Sequence, residues 1–251
     1  KRRLSPAVSL SWRPFSESTL RIRASYKDIF RVPTFTDLYY LRMGNTNLKP
    51  EETSQYNVGV TWSSSCGDWL RHFSISADGY YNTVKDKIVA LPTMYVWKMM
   101  NMGEVDIKGV DVNLSTQFRL PLRMSLFLAS TYSFQYAVDV TDPEAKNYKD
   151  QIPYTPRHSG TVSVTLENPW VNVSYILTAV GDRYALPQNI DRNRIDSYIE
   201  QSISINRDFR FRYFGLHLQG ELLNLTNVNY DVIQYYPMPG RSWRLSVCLS
   251  Y

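Results

Sequence analysis

Leu20-Arg21-Ile22-Arg23-Ala24-Ser25-Tyr26-Lys27 decides how this chain is read. Leu20, Ile22, Ala24 and Tyr26 alternate with Arg21, Arg23, Ser25 and Lys27, so an extended strand carries all of its charge on one face. The same rule holds upstream, with Val8, Leu10 and Trp12 set against Ser9, Ser11 and Arg13. Downstream it holds for Tyr56, Val58, Val60 and Trp62 against Asn57, Gly59 and Thr61, and for Phe73, Ile75, Ala77 and Tyr81 against Ser74, Ser76, Asp78 and Asn82. From Leu122 to Tyr136 the alternation outlasts an ordinary strand of about five or six residues. Further candidates run at about His158–Glu167, Val171–Gly181, Tyr198–Asn206, Arg212–Asn224 and Trp243–Tyr251. Between Gly103 and Leu120 the apolar positions switch from odd (Val105, Ile107) to even (Val110, Val112, Leu114, Phe118), which predicts a bulge near Gly109. The total is about eleven strands.

The connections divide into two sets. Those after the first, third, fifth, seventh and ninth strands are short, such as Asn168-Pro169-Trp170. The others are long, at about Phe30–Glu52, Lys85–Met102, Asp139–Pro156, Tyr184–Arg194 and Thr226–Gly240. Long structureless loops are uncommon in compact domains, yet here they recur at one end only. Compact turns at one end and extended loops at the other are the pattern of an all-β, antiparallel, up-and-down transmembrane barrel with aromatic girdles. A soluble sandwich also alternates, but its loops need not alternate in length. In a barrel the apolar face meets lipid and the polar face meets an enclosed lumen. A basic row of Arg13, Arg21, Arg23 and Lys27 is expected on that lumen side, pairing with acidic groups outside this chain.

Composition agrees with this reading. The 251 residues are 43% hydrophobic and 14% aromatic, with 19 Tyr, 10 Phe and 6 Trp, but no stretch approaches the length of an apolar transmembrane helix. A net charge of +5 is spread singly along alternating segments, which argues against a nucleic-acid partner. Cys66 and Cys248 are too few for a disulfide framework or a zinc site. The basic start, Lys1-Arg2-Arg3, is followed by Pro6, Ser9, Ser11 and Arg13 rather than a signal-peptide core, so the chain is expected to be processed or to begin in mid-protein.

Several stretches resemble TonB-dependent outer-membrane receptors. Phe30-Arg31-Val32-Pro33-Thr34-Phe35-Thr36-Asp37-Leu38-Tyr39-Tyr40, followed by Gly44-Asn45-Thr46-Asn47-Leu48-Lys49-Pro50-Glu51-Glu52, is similar to a signature of their barrel. Asn101 to Asp111 resembles the strand carrying their Gly-Val-Glu/Asp element, and Pro153-Tyr154-Thr155-Pro156-Arg157-His158 their proline-rich approach to the next strand. The alternation ending in Trp243, Leu249 and Tyr251 resembles the signal read by the barrel-assembly machinery. The resemblance implies that residues 1–251 form the C-terminal half of a ~22-stranded barrel. The plug domain and N-terminal strands then lie outside this chain. It also implies a bacterial outer-membrane location and, as partners, the TonB complex, the plug, the rest of the barrel and outer-membrane lipid.

Such a receptor would bind a scarce, bulky nutrient (a ferric siderophore, cobalamin, haem or an oligosaccharide) at its outer loops and import it with TonB-coupled energy. Met43, Met94, Met99, Met100, Met102 and Met238 fall in the expected long loops, and thioether and aromatic side chains make an adaptable apolar surface. The candidate ligand-binding residues are Tyr39, Tyr40, Tyr95, Trp97, Met99, Met100, Tyr235 and Tyr236. Haem receptors carry a histidine between the two motifs, whereas no His lies between Phe30 and Leu48. His72, His158 and His217 stand singly and are expected to be ordinary barrel residues, so neither a metal ion nor a cofactor is implied. Asp139, Asp142, Glu144 and Asp150 crowd one outer loop and are expected to form a solvated acidic surface. The alternatives are a passive porin or plug-less small barrel, and an outer-membrane hydrolase. Against the hydrolase, the adjacent His158 and Ser159 point to opposite faces of a strand and cannot act as base and nucleophile together.

Overall fold

In the computed structural model, which describes residues 4–15 and 19–250, eleven antiparallel strands join edge to edge in chain order. They are β1 (Ala7–Trp12), β2 (Arg21–Arg31), β3 (Glu51–Cys66), β4 (Leu70–Pro92), β5 (Trp97–Leu120), β6 (Met124–Asp139), β7 (His158–Glu167), β8 (Asn172–Val180), β9 (Tyr198–Arg210), β10 (Gly215–Leu223) and β11 (Ser242–Ser250). Two small ribbons stand in the connections: Arg183–Tyr184 pairs with Arg194–Ile195, and Asp231–Ile233 pairs with Tyr236–Pro237. A short helix, α1 (Phe35–Tyr39), stands between β2 and β3.

Register turns the alternation of each strand into rows across the sheet. One row runs Arg21, Thr61, Ser76, Asn113, Thr131, Thr161, Thr178 and Glu200. The adjacent row, one residue on, runs Ile22, Val60, Ala77, Val112, Tyr132, Gly160, Ala179 and Ile199. A slip of one residue would exchange the two faces, so the pattern itself specifies the register. On the polar face the side chains bond laterally. Arg23 Nη2 donates to Asp78 Oδ1 at 2.9 Å, Ser133 donates to Asp111, and Asn172 Nδ2 donates to Asn206 Oδ1 at 3.1 Å. Arg244 is paired with Glu221 in the same way.

Aromatic residues mark both margins of the apolar face. Near the short turns Trp62 packs on Phe73 (5.3 Å between centroids), Trp69 on Phe118 (5.6 Å) and Phe211 on Phe214 (4.6 Å). At the other margin Tyr26 meets Tyr56 at 4.9 Å and Tyr56 meets Tyr81 at 6.4 Å, and the same row continues through Lys108 to Tyr136. Along β5, Phe118 to Lys108 is about 33 Å at ~3.3 Å per residue. At a strand tilt of ~40° that becomes about 25 Å of axial height, the size of a lipid-facing belt.

Beyond the tyrosine row the facing inverts. β4 and β5 run to 23 and 24 residues, far past the belt. The face that was apolar now carries Asp28, Ser54, Thr83 and Asp106, then Glu52, Lys85 and Glu104, with Lys85 Nζ 3.2 Å from Glu104 Oε1. The opposite face becomes apolar there. Val84, Met102, Val105, Ile107, Ala137 and Ile152 form the buried core of the described residues. This corrects the bulge expected near Gly109, because β5 keeps register with both β4 and β6 through that residue. Val105 and Ile107 share the face of Asp111, and the change of parity reports a change of surroundings rather than an inserted residue. Gly109 has another role: a Cβ there would lie 2.3 Å from the Phe134 carbonyl oxygen and 2.5 Å from the Tyr80 hydroxyl. Tyr80, its cross-strand partner, closes over it.

The expected long loop from Lys85 to Met102 is also corrected. β4 and β5 stay paired up to Pro92 opposite Trp97, leaving 93–96 as the turn. Met99, Met100 and Met102 are therefore strand residues. Pairing across the hairpin satisfies the backbone groups of residues whose own strand preference is weak.

Candidate functional site

The long connections are bonded to one another rather than free. Thr34 caps α1, its hydroxyl accepting from Asp37 N (3.1 Å) while the Asp37 carboxylate accepts from Thr34 N (2.9 Å). The chain then crosses to the β4–β5 hairpin, where Met99 N donates to Met43 O (2.9 Å) and Asn45 Nδ2 to Met99 O (3.1 Å). Asn101 accepts from Lys49 N at 2.8 Å and donates to Asp86 O at 2.7 Å, fixing the hairpin where Asp86 takes φ 51°.

Between β6 and β7, Gln151 bridges to Val138 and Ile152 N donates to Ala137 O (3.0 Å), extending the sheet where β7 has not yet begun. Asp139 is buried and accepts from Thr141 N and Asn147 Nδ2, each at 2.9 Å. Asp150 accepts from Asn189 N (3.0 Å) in the next connection. These two carboxylates thus organise the loops, which corrects the expected solvated acidic surface for Asp139 and Asp150, while Asp142 and Glu144 are exposed as expected. Tyr154 N donates to Tyr184 O (2.7 Å), and Gln234 Nε2 to Arg192 O (3.0 Å), so the connections after β6, β8 and β10 form one layer. The last is anchored by buried Asn224, which donates to Val228 O and accepts from Val228 N, both at 2.9 Å.

This layer and the hairpin line a part-open cavity of about 540 Å³, within the usual size of small-molecule sites. β4 and β5 supply Lys87, Val89, Ala90, Leu91, Trp97 and Ile107. β6 adds Gln135, the next connection adds Ile152 to Thr155, and the later ones add Arg183, Val232 and Ile233. Trp97 and Tyr154 face each other at 5.6 Å. Burial lowers the affinity of Lys87 for its proton against the opposing pull of Glu51, and burial raises the Tyr154 phenol against that of Arg183. Nearby, Tyr230 stacks on Tyr198 at 4.0 Å and donates to Glu200, and burial pushes its phenol up to about 12.

Of the residues expected to bind ligand, the structure brings only Trp97 to this cavity. Tyr95 projects from the hairpin tip, 89% exposed, and Met100 is also exposed, whereas Met99 is half-buried against the crossing segment. Tyr39 and Tyr40 end α1 in solvent, Tyr39 against Phe35 at 4.9 Å. Tyr235 and Tyr236 turn outward on the last ribbon. Arg21, Arg23 and Lys27 sit on the polar face, with Arg23 already paired to Asp78, and Arg13 lies past the end of β1. That pairing corrects the expectation that Arg23 waits for an acidic partner outside this chain. Trp243 and Leu249 lie on the exposed apolar face of β11, and Tyr251 lies outside the described residues. His158 bonds the Tyr132 hydroxyl at 2.9 Å and His217 the Asp208 carboxylate at 2.7 Å, while Ser159 lies on the face opposite His158.

Sequence does not single out Lys87, Val89 or Arg183, and it marks Tyr154 only as part of the Pro153–His158 stretch. The alternation of Lys87, Val89 and Leu91 was the available signal for the first two. Arg183, just before the Leu186-Pro187 loop, gives none.

A belt bounded by two aromatic rows, short turns below and a bonded loop layer around a cavity above define a segment of an outer-membrane receptor barrel. The profile of the family described as TonB dependent receptor-like, beta-barrel matches residues 1–229, and the chain belongs to that family of bacterial outer-membrane proteins. It is 25% identical over 236 residues to the vitamin B12 transporter BtuB of Photobacterium profundum, covering 90% of this chain and 34% of that protein. The chain spans about a third of the length of the curated relatives it matches. Among solved structures it is similar in fold to the copper transporter OprC (TM-score 0.72, 17% identity, 97% of this chain and 38% of that one). It is also similar to BauA, the ferric preacinetobactin receptor from Acinetobacter baumannii (TM-score 0.71, 14% identity, 97% and 36%).

Proposed function

We propose that this chain is the C-terminal half of the barrel of a receptor that captures a scarce, bulky nutrient at its outer loops and imports it with TonB-coupled energy. The observation that carries this reading is the cavity walled by the β4–β5 hairpin and three mutually bonded connections above the lipid belt. A pore needs an open mouth, whereas bonded loops around a part-apolar cavity suit capture. The relatives named as vitamin B12 transporters put cobalamin in the candidate set with ferric siderophores, haem and oligosaccharides. The chemistry is binding and gated passage with no covalent step. Within the whole receptor a plug domain fills the lumen, and the TonB complex acts on that plug. Uptake of radiolabelled iron complexes and cobalamin by cells whose sole receptor is the intact protein tests this. Uptake abolished by deleting TonB is the expected result. Uptake that survives the deletion means a passive porin instead.

A further inference from the structure

At the outer margin of the lipid belt two cations lie over the ring of Tyr136. Lys108 Nζ, on β5, is 5.1 Å from the ring centroid, and the guanidinium of Arg157, just before β7, is 5.2 Å from it. Arg157 Nε donates at 2.9 Å to Oε1 of Gln151, which is 2% exposed and bridged to Val138. Both cations are exposed, and neither forms an ion pair among the described residues. Asp106, opposite Val138 in the next row out on that face, reaches neither of them. Lys85, farther out on the same face, is by contrast held by Glu104 at 3.2 Å. Beside the two cations, His158 Nδ1 lies 2.9 Å from the Tyr132 hydroxyl, and its ring is 5.2 Å from that of Phe134. The apolar face next to His158 is nearly bare of side chains. Gly160 and Ala179 share the row of Tyr132, so a floor two strands wide, about 10 Å, separates the exposed rings and branches of Tyr132 and Ile199.

We propose that this surface is a fixed site for a phosphorylated glycolipid of the outer leaflet, with phosphate groups received by Lys108 and Arg157 and an acyl chain lying over Gly160 and Ala179. The level is right for headgroups, because Tyr136 stands in the tyrosine row that bounds the belt, where aromatic and cationic side chains meet the interface. Two like charges drawn to one ring repel each other, and an anion beside them removes that cost. A cation that merely snorkels toward water needs no anchor. Arg157 has one in the buried Gln151 amide, which presents the rest of its planar fork in a set place, and that fork matches phosphate oxygens. The bare apolar floor beside the charges selects a lipid over a soluble phosphate, since only a lipid brings a chain to cover it. The site faces away from the lumen and shares no residue with the lining of the loop cavity, so it is independent of the import reading.

The test titrates the intact receptor, purified in a non-ionic detergent with EDTA present, and counts bound lipid by native mass spectrometry. The probes are diphosphorylated lipid A, the same lipid stripped of its phosphates, and inorganic pyrophosphate as a soluble competitor. Saturable binding of the phosphorylated lipid, tenfold or more tighter than that of the stripped form and weakening as salt is added, is expected. Lys108→Gln and Arg157→Gln should each weaken it about tenfold. Lys85→Gln, on the same face but already paired with Glu104, should leave it unchanged. Because Arg157 also holds Gln151, the Lys108 variant carries the test if Arg157→Gln fails to fold. Equal binding of the stripped lipid, or binding that does not saturate and is unmoved by Lys108→Gln, would reduce the cluster to ordinary interfacial anchoring and overturn the proposal. Displacement of the lipid by an equal concentration of pyrophosphate would also overturn it, by showing a site for free phosphate with no use for the chain. Loss of TonB-dependent uptake would bear on the import reading alone.

Discussion

A depth series of arginines along β5 tests the membrane boundary drawn at the tyrosine row. Leu114, Val110 and Asp106 share one face of β5, on either side of Lys108 in that row. At ~3.3 Å per residue and ~40° of tilt, Leu114 lies about 15 Å below the row, near the middle of a ~25 Å belt. Val110 lies about 5 Å below it and Asp106 about 5 Å above it by the same measure. Leu114→Arg should therefore cost about 2–4 kcal/mol, Val110→Arg about 1 kcal/mol or less, and Asp106→Arg nothing measurable. Asn113→Arg, one residue from Leu114 but on the polar face with Ser76 and Thr131, should cost under about 1 kcal/mol. The assay is reversible urea unfolding of the intact receptor in lipid vesicles, read by heat-modifiable gel mobility and tryptophan emission. A profile flat with depth, or one in which Asn113→Arg is the most damaging, would refute both the facing and the boundary.

Trp97→Ala should weaken ligand binding by about 1 kcal/mol or more, because it removes one wall of the cavity. Tyr95→Ala, at the exposed tip, should change it by less than about 0.5 kcal/mol, and fluorescence titration of both separates cavity from loop surface. Gly109→Val should destabilise the barrel by about 2 kcal/mol or more, since its Cβ meets the Phe134 carbonyl oxygen at 2.3 Å. Gly220→Ala, with nothing within 4 Å of the added carbon, should unfold at nearly the wild-type urea concentration. Lys87 has a folded proton affinity lowered by burial from the ordinary 10.5, with Arg31 reinforcing and Glu51 opposing the effect. The unfolded chain then binds more protons between the two values, so stability rises with pH across that window. Urea midpoints of wild type and Lys87→Met, measured from neutral pH upward, should show that rise in the wild type alone.

Wherever one surrounding persists along a strand, period-two alternation was enough to read it. Eleven strands, their order and the polar placement of Arg21 and Arg23 follow from side chains that must choose between hydrocarbon and an aqueous enclosure. The reading failed where the surrounding changed. Val105 and Ile107 break parity with Val110 because β5 leaves the belt at Lys108 and buries its other side, a step that local sequence records only as an apparent bulge. Trp97 and Met99 look like loop residues until pairing with Pro92 and Ala90 makes them strand.

The candidate site divides along the same line. The long-loop pattern read from sequence gathers aromatic and thioether side chains at the end of the sheet away from the short turns, although Met99, Met100 and Met102 prove to be strand residues there. Which of them share a cavity was decided by contacts between connections far apart in the chain. Arg183 reaches Asp231 and Val232, Tyr154 reaches Tyr184, and Trp97 reaches Tyr154. Facing along one strand is a local property, set by the angle between successive side chains. The meeting of three loops depends on long-range hydrogen bonds whose partners no local pattern announces, and that meeting is what buries Arg183 against the Asp231 and Val232 carbonyls.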